Sequence, residues 1–89
     1  MNPGKLVNFG WTTHAGETII STPIRTGMIV SEIEYREDIP TEYLNQDEDE
    51  CWYVSEEIFD TYVANVLWND GSVETQPLAN LFEVVENYV

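Results

Sequence analysis

The sequence predicts an all-β fold. Apolar residues alternate with polar ones at a period of two more often than they recur at helical spacing. The chain has 89 residues, of which 43% are hydrophobic, with 3 Trp, 5 Tyr and 3 Phe. This length suits one domain, residues 1–89, with one small core, and the content of core-forming residues is too high for a disordered acidic tail.

The first half of the chain contains two predicted strands. Residues 5–11 (KLVNFGW) form the first, because every second side chain from Val7 onward is large and apolar. Residues 12–26 are polar and interrupted by Gly and Pro, so they predict a loop, long enough for a short hairpin around Ile19 and Ile20. Residues 27–35 (GMIVSEIEY) are the second strand.

The last third of the chain has the clearest strand pattern. Residues 61–68 (TYVANVLW) predict the third strand, and the NDG at 69–71 predicts a hairpin turn because Asp and Gly tolerate positive φ angles. Residues 72–76 are the return strand. Residues 77–81 (PLANL) predict one turn of 3₁₀ helix that begins at Pro, and residues 82–85 form the fifth strand.

An acidic insertion, residues 37–60 (EDIPTEYLNQDEDECWYVSEEIFD), separates the second and third predicted strands. It contains ten carboxylates and eight large apolar side chains. Two interpretations are compatible with this composition. The favoured one is a loop that folds back so that its apolar groups complete the core; the other is an exposed contact surface for a partner.

The formal net charge of −14 lies entirely in the second part of the chain. Residues 1–36 contain three acidic and three basic residues, whereas residues 37–89 contain fourteen acidic residues and no Lys or Arg. A segment of one sign produces a directional field that attracts cationic partners and repels polyanions. Adaptation to high salt and simple solubility are the alternative explanations, although the neutral first part does not fit a uniformly acidified surface.

Two stretches resemble a known family. Residues 66–85 (VLWNDGSVETQPLANLFEVV) are similar to the closing half of Tudor- and KOW-type barrels, and residues 3–7 (PGKLV) resemble their opening strand. The combination also resembles small acidic barrel proteins of tailed bacteriophages. The resemblance covers residues 3–35 and 61–85, and it implies a five-stranded SH3-like small barrel with the acidic insertion between strands 2 and 3.

No catalytic, metal-binding or cofactor-binding residues are predicted. The best available pair for a nucleophilic dyad is Cys51 with His14, and nothing else supports it. His14 is interpreted as a solvated loop residue and Cys51 as a buried or half-buried small hydrophobe. One Cys and one His cannot complete a zinc site. The acidic run 47–50 lacks the glycine and the alternating ligands of a calcium loop.

Several partner classes are also disfavoured. Three basic residues cannot supply the phosphate contacts of direct nucleic-acid binding. No apolar run approaches the roughly 20 residues that span a bilayer, and the N-terminal residues do not resemble a secretory signal. With one cysteine the chain forms no internal disulfide, which agrees with a cytoplasmic location, that of the host cell if a phage encodes the protein.

An aromatic cage for a methylated cation is a further option. Its candidate residues are Trp11, Tyr35, Trp52, Tyr53, Tyr62 and Trp68. Against it, Tyr62 and Trp68 lie on one face of the third predicted strand, where packing in the core is the favoured role.

The functional hypothesis is therefore a non-enzymatic module whose acidic surface binds a basic protein. The expected target is a host protein that handles nucleic acids, which the module inhibits or modulates by imitating a phosphate array. The predicted partner-binding residues are Glu42, Asp47, Glu48, Asp49, Glu50, Trp52, Tyr53, Glu56, Glu57 and Phe59. The alternative is a virion or assembly accessory protein that acts as a structural oligomer component; the sequence leaves the oligomeric state open.

Overall fold

A computed structural model of the chain describes residues 2–84, which form strands and one turn of 3₁₀ helix. The prediction of an all-β fold is confirmed. The elements are β1 Leu6–Thr12, β2 Thr18–Ile20, β3 Thr26–Ile29, β4 Glu34–Gln46, β5 Trp52–Trp68, β6 Val73–Pro77, the 3₁₀ helix Leu78–Asn80, and β7 Leu81–Glu83. In this part of the chain no helix is long and apolar enough to cross a membrane.

The strands pair antiparallel in one open sheet. Neighbouring strands run in the order β7-β1-β3-β5-β6, with β2 on the far end of β1 and β4 on residues 52–63 of β5. Across residues 2–84 there are seven strands, where the sequence predicted five, because the short β2 and the separate β4 add to the predicted set. A single parallel bridge joins Thr13, the residue after β1, to Leu44 of β4, and no ladder closes the described sheet there.

The core lies where β1, β3, β5 and β7 meet. As the alternation predicted, Val7 and Phe9 are buried on one side of β1. The buried cluster consists of Val7, Phe9, Ile29, Ala64, Val66, Trp68 and Leu81. Each large apolar side chain buried in this way contributes about 1.5–3 kcal/mol. Gly27 allows β3 and β5 to approach closely, since a Cβ at this position would lie 2.8 Å from the Leu67 carbonyl oxygen.

The NDG turn between β5 and β6 is confirmed. Gly71 has φ +89°, and its N–H donates to the Trp68 carbonyl over 2.9 Å. Asp70 accepts hydrogen bonds from the hydroxyl and the N–H of Ser72, at 2.6 and 2.9 Å. These two hydrogen bonds, the hydroxyl first, hold the pKa of Asp70 below its usual value. The predicted 3₁₀ turn is also present, whereas the prediction of a last strand to residue 85 extends outside the described residues.

The prediction of one continuous strand over residues 27–35 is wrong. β3 ends at Ile29 and β4 begins at Glu34. Between them the hydroxyl of Ser31 accepts a hydrogen bond from the N–H of Asn65 over 2.8 Å. A side-chain oxygen thus takes the place of a backbone carbonyl of a neighbouring strand, and the ladder is interrupted.

The prediction that residues 37–60 fold back as a loop is also wrong. β4 and β5 continue through this segment as a hairpin, and eight consecutive residue pairs join Ile39–Phe59 to Gln46–Trp52. Residues 37–60 are called the acidic arm below, and the rest of the described chain is called the body. The apolar side chains of the arm are absent from the buried core: Ile39, Tyr43 and Leu44 are half-buried, and the others are exposed.

A bulge marks the base of the acidic arm. The register between β4 and β5 shifts by one residue between Arg36 and Ile39. Asp38 takes a positive φ of 56° there, and its N–H donates to the Asp60 carboxylate over 3.1 Å. Bulges bend the strand and increase the local twist of a ribbon, so the direction of β4 changes where the arm begins.

Candidate functional site

The acidic arm concentrates charge of one sign. It carries ten of the seventeen acidic residues of the chain and no Lys or Arg. Nine of these ten residues are exposed, and Glu42 is half-buried. The arm therefore presents a negative field to solvent from a narrow, two-stranded support.

The arm has an inner and an outer face. Residues opposite each other in an antiparallel ladder lie on the same side. The inner face lines two grooves against the body with Pro40, Glu42, Leu44, Gln46, Trp52 and Glu56. The outer face carries Tyr43, Tyr53, Glu57 and Phe59. On the outer face the rings of Tyr43 and Phe59 pack edge to face with centroids 5.7 Å apart.

The tip of the arm is a tight turn organised by Asp47. Its carboxylate accepts the N–H groups of Asp49 and Cys51, each over 2.9 Å. Asp47 therefore stabilises the turn, and the exposed Glu48, Asp49 and Glu50 supply charge around it. The prediction of a buried or half-buried Cys51 is wrong, because the residue follows this turn, far from the core, and is exposed.

The same turn yields a stability prediction. Glu50 has φ +62°, a conformation that costs a residue with a Cβ about 1 kcal/mol relative to glycine. Glu50→Gly is expected to raise the free energy of unfolding by about 0.5–1 kcal/mol in urea denaturation. The control is Glu48→Gly, which removes the same charge at a position without a positive φ; an equal gain there would contradict the backbone explanation.

Asn80 joins the arm to the body, and sequence reasoning did not identify it. Its amide donates to the carbonyls of Gly10 (3.0 Å) and Glu42 (2.8 Å) and accepts the N–H of Glu42 (3.2 Å). Asn80 is 1% exposed. The sequence feature that could have identified Asn80 is a polar amide between leucines in the predicted 3₁₀ turn. The Glu42 side chain is held as well, because it accepts the indole N–H of Trp11 over 3.1 Å.

The larger groove separates the inner face of the arm from the body and has a volume of about 550 Å³. Two of the three basic residues of the chain line it, and each already has a carboxylate partner. Arg25 pairs with Glu74 at 3.0 Å, and Arg36 pairs with Glu34 at 2.8 Å. Glu42 and Glu56 also line this groove, and neither forms an ion pair with a residue in the range 2–84.

Arg25 is fixed by aromatic packing in addition to its ion pair. Its guanidinium lies 4.3 Å from the ring centroid of Trp68 and 5.6 Å from that of Phe9. Partial burial of Glu74 acts to raise its pKa, but hydrogen bonds from Gln76 and Arg25 outweigh this effect and lower it. Arg25 is thus part of the groove wall, with its charge neutralised by an ionised Glu74.

The smaller groove lies near the tip and has a volume of about 250 Å³. The loop after β1 forms one side with Thr13, His14 and Glu17, and Leu44 and Trp52 of the arm form the other. His14 therefore shares a groove with Trp52, while Cys51 is not among the residues that line it.

On the outer face, Tyr43 is the side chain whose ionisation is perturbed. Burial raises its pKa, and the negative charge of Glu57 raises it further. Tyr43 is thus held in its neutral form beside Glu57 and Phe59. The outer face combines one carboxylate with three aromatic rings.

The aromatic residues considered for a cage lie in separate places. Trp68 is in the core, as expected, and Trp52 and Tyr53 are on opposite faces of the arm. The expectation that Tyr62 packs in the core is wrong: it is 56% exposed and packs edge to face on Tyr35, with centroids 5.3 Å apart. Tyr62 lies in the part of β5 that pairs with β4, directly opposite the exposed Tyr35, so it is outside the core although it has the same alternation as Ala64 and Val66.

The predicted partner-binding residues all lie on the arm but not on one surface. Four are at the tip: Asp47, Glu48, Asp49 and Glu50. Three are on the inner face: Glu42, Trp52 and Glu56. Three are on the outer face: Tyr53, Glu57 and Phe59. A partner that contacts all ten must therefore surround the tip.

Comparisons of the chain with protein-family models, with curated proteins and with solved structures gave no match. Within residues 2–84, no group of three or more His, Cys, Asp or Glu side chains is arranged to hold a metal ion. Within residues 2–84, the features that stand out are the charge of the arm, its exposed aromatic rings and the two grooves between the arm and the body.

Proposed function

We propose that this protein is a non-enzymatic interaction module whose acidic arm binds a basic surface of another protein. The observation that carries this proposal is the arm itself: a two-stranded ribbon with ten carboxylates, nine of them exposed, and no basic residue. Such a field accelerates encounter with a cationic partner and orients it. Trp52, Tyr53 and Phe59, all exposed, contribute the apolar contact area that charge alone does not supply.

The body is proposed to be an SH3-like small barrel that supports the arm. In favour of this assignment, the strand order β7-β1-β3-β5-β6 is a meander with a 3₁₀ turn before the last strand. The resemblance to small acidic phage proteins then suggests a host protein that handles nucleic acids as the target, in the host cytoplasm. Carboxylates at the tip and on both faces of a ribbon can occupy a basic groove from several sides, which favours inhibition by phosphate mimicry.

The test compares two variants of equal net charge. The arm variant is Glu48→Gln/Asp49→Asn/Glu57→Gln, and the control is Glu17→Gln/Glu32→Gln/Glu83→Gln, all exposed positions. Asp47 is left intact because it organises the turn. Each variant is immobilised and used to capture proteins from a bacterial lysate, and the affinity of a captured basic protein is then measured after purification.

We expect the arm variant to bind about tenfold more weakly than the unchanged protein, since three exposed charge pairs contribute roughly 1.4 kcal/mol together. The control variant is expected to bind normally. Raising the salt from about 0.1 M to about 1 M shortens the Debye length from about 10 Å to about 3 Å and should abolish capture. Capture that is insensitive to salt and to both variants would contradict the proposal.

The alternative function, a structural component of an assembly, is favoured by exposed apolar side chains at the base of the arm. Tyr35, Ile58 and Tyr62 are each more than half exposed. Contact areas of this kind are common in oligomer interfaces. Light scattering of the purified protein separates the two functions: a closed oligomer supports the structural role, and a monomer supports the interaction module.

A further inference from the structure

We propose that the larger groove binds an arginine side chain of the partner, with Glu42 and Glu56 as its carboxylate ligands. This inference rests on the proposed function and specifies one contact within it. It assigns a role to the inner face of the arm that differs from the diffuse attraction of the tip.

The two carboxylates face each other across the ribbon. Glu42 and Glu56 are directly opposite in the β4–β5 register, on the inner face, and both line the groove. Like charges in opposed positions of an antiparallel pair are destabilising. A cation placed between them relieves this repulsion. The Glu42–Glu56 repulsion is therefore present in the free state and reduced in the bound state, which favours binding.

The first ligand is held in place before any partner binds. Asn80 binds both backbone groups of Glu42, and the indole N–H of Trp11 binds its carboxylate. A carboxylate positioned in this way loses little conformational freedom when it accepts a further hydrogen bond. Trp11 uses one oxygen of Glu42, which leaves the other oxygen available for a guanidinium.

The groove has no basic residue left to neutralise these ligands. Arg25 is paired with Glu74, and Arg36 with Glu34. Of the five charged residues that line the groove, three are acidic and two are basic, so the lining carries a net negative charge. The surplus charge favours a cation from outside, and the field of the whole arm increases its local concentration.

The size and lining of the groove are compatible with a long side chain that ends in a charged group. Its volume of about 550 Å³ falls among those of small-ligand sites, which range over about 300–1,000 Å³. Phe9, Pro40 and Pro77 supply apolar wall for an aliphatic stem. A guanidinium can bind two carboxylates through different edges of its fork and is more weakly hydrated than an ammonium ion, which favours arginine over lysine.

The experiment is an NMR titration of the full chain with N-acetyl-arginine amide, and the reporter is the indole N–H of Trp11, which donates to Glu42. The same titration with N-acetyl-citrulline amide tests a neutral molecule of nearly the same shape. We expect a saturable shift of the Trp11 indole signal with the arginine probe and none with the citrulline probe. Equal shifts with both probes would overturn the inference.

Two neighbouring substitutions provide a matched pair. Glu56→Gln removes a proposed ligand, whereas Glu57→Gln removes the same charge from the outer face, one residue along the strand. Glu56→Gln is expected to weaken the arginine probe by about tenfold or more, and Glu57→Gln by less than about twofold. Equal weakening by both variants would show general attraction to the arm in place of a groove site.

The two proposals fail separately. If the arginine probe does not distinguish Glu56→Gln from Glu57→Gln while capture by the arm stays sensitive to salt and to the arm variant, the groove site is wrong and the interaction module stands. If capture is insensitive to salt and to the arm variant, the proposed function fails whatever the probe does.

Discussion

Replacing Asn80 with alanine is expected to lower the free energy of unfolding by about 2–4 kcal/mol. The substitution removes three hydrogen bonds and leaves the Gly10 carbonyl and both backbone groups of Glu42 without their partner. Buried polar groups without partners cost about 1–3 kcal/mol each, less where water reaches them. Urea denaturation measures the loss, and the indole signal of Trp11 reports whether Glu42 has moved.

Asn45→Ala is the control for this prediction. Asn45 lies on the arm and hydrogen-bonds Ser55 across the ribbon, without a hydrogen bond from its side chain to the described part of the body. A loss below about 1 kcal/mol is expected there, typical of one partly exposed hydrogen bond. Similar losses for Asn45→Ala and Asn80→Ala would show that Asn80 does not have the special connecting role inferred from its contacts.

Gly27→Ala is expected to lower the free energy of unfolding by about 2–3 kcal/mol. A Cβ at Gly27 would lie 2.6 Å from Val66 Cγ1, 2.8 Å from the Leu67 carbonyl oxygen and 2.8 Å from Trp68 Cε3. The Leu67 oxygen belongs to the backbone and Trp68 Cε3 to a buried ring, so neither atom can move without disturbing its neighbours. β3 must therefore separate from β5, and overpacking of this kind costs about 1–3 kcal/mol. Thermal and urea unfolding measure the effect.

Gly71→Ala separates steric crowding from backbone strain. Gly71 has φ +89°, and a Cβ at this position would have no neighbouring atom within 4 Å. Alanine there is therefore disfavoured by its backbone conformation alone, at a cost of about 1 kcal/mol. If Gly27→Ala were no more damaging than Gly71→Ala, the close packing of β3 against β5 would not limit stability.

Asn80 and Gly27 also bear on function. Asn80 fixes the position of the arm relative to the body, and Gly27 allows β3 and β5 to pack closely in the core. An Asn80→Ala protein that remains folded should keep the charge of the arm but lose the fixed position of Glu42. Diffuse attraction to basic proteins is then retained, whereas the arginine site in the larger groove weakens.

Part of the candidate site was predictable from composition. The concentration of acidic residues in 37–60 follows from residues that are adjacent in the chain. The exposure of Trp52 and Tyr53 did not follow, because the favoured interpretation placed the apolar groups of this segment in the core. Composition did not predict how the ten candidate residues divide between tip, inner face and outer face, because that division depends on the register of β4 against β5. A loop and a hairpin have the same composition, and one residue of slippage exchanges the faces.

The all-β class, the NDG turn, the 3₁₀ turn and the inward side of β1 could all be read from short stretches of sequence, since each depends on alternation or turn chemistry within a few residues. Three features could not: the interruption of a strand by Ser31, the hairpin formed by the insertion, and the contact of Asn80 with Glu42. The physical reason is distance along the chain, because Asn80 is 38 residues from Glu42 and 70 from Gly10. Hydrogen bonds of that separation exist only after the sheet has formed, and no local pattern encodes them.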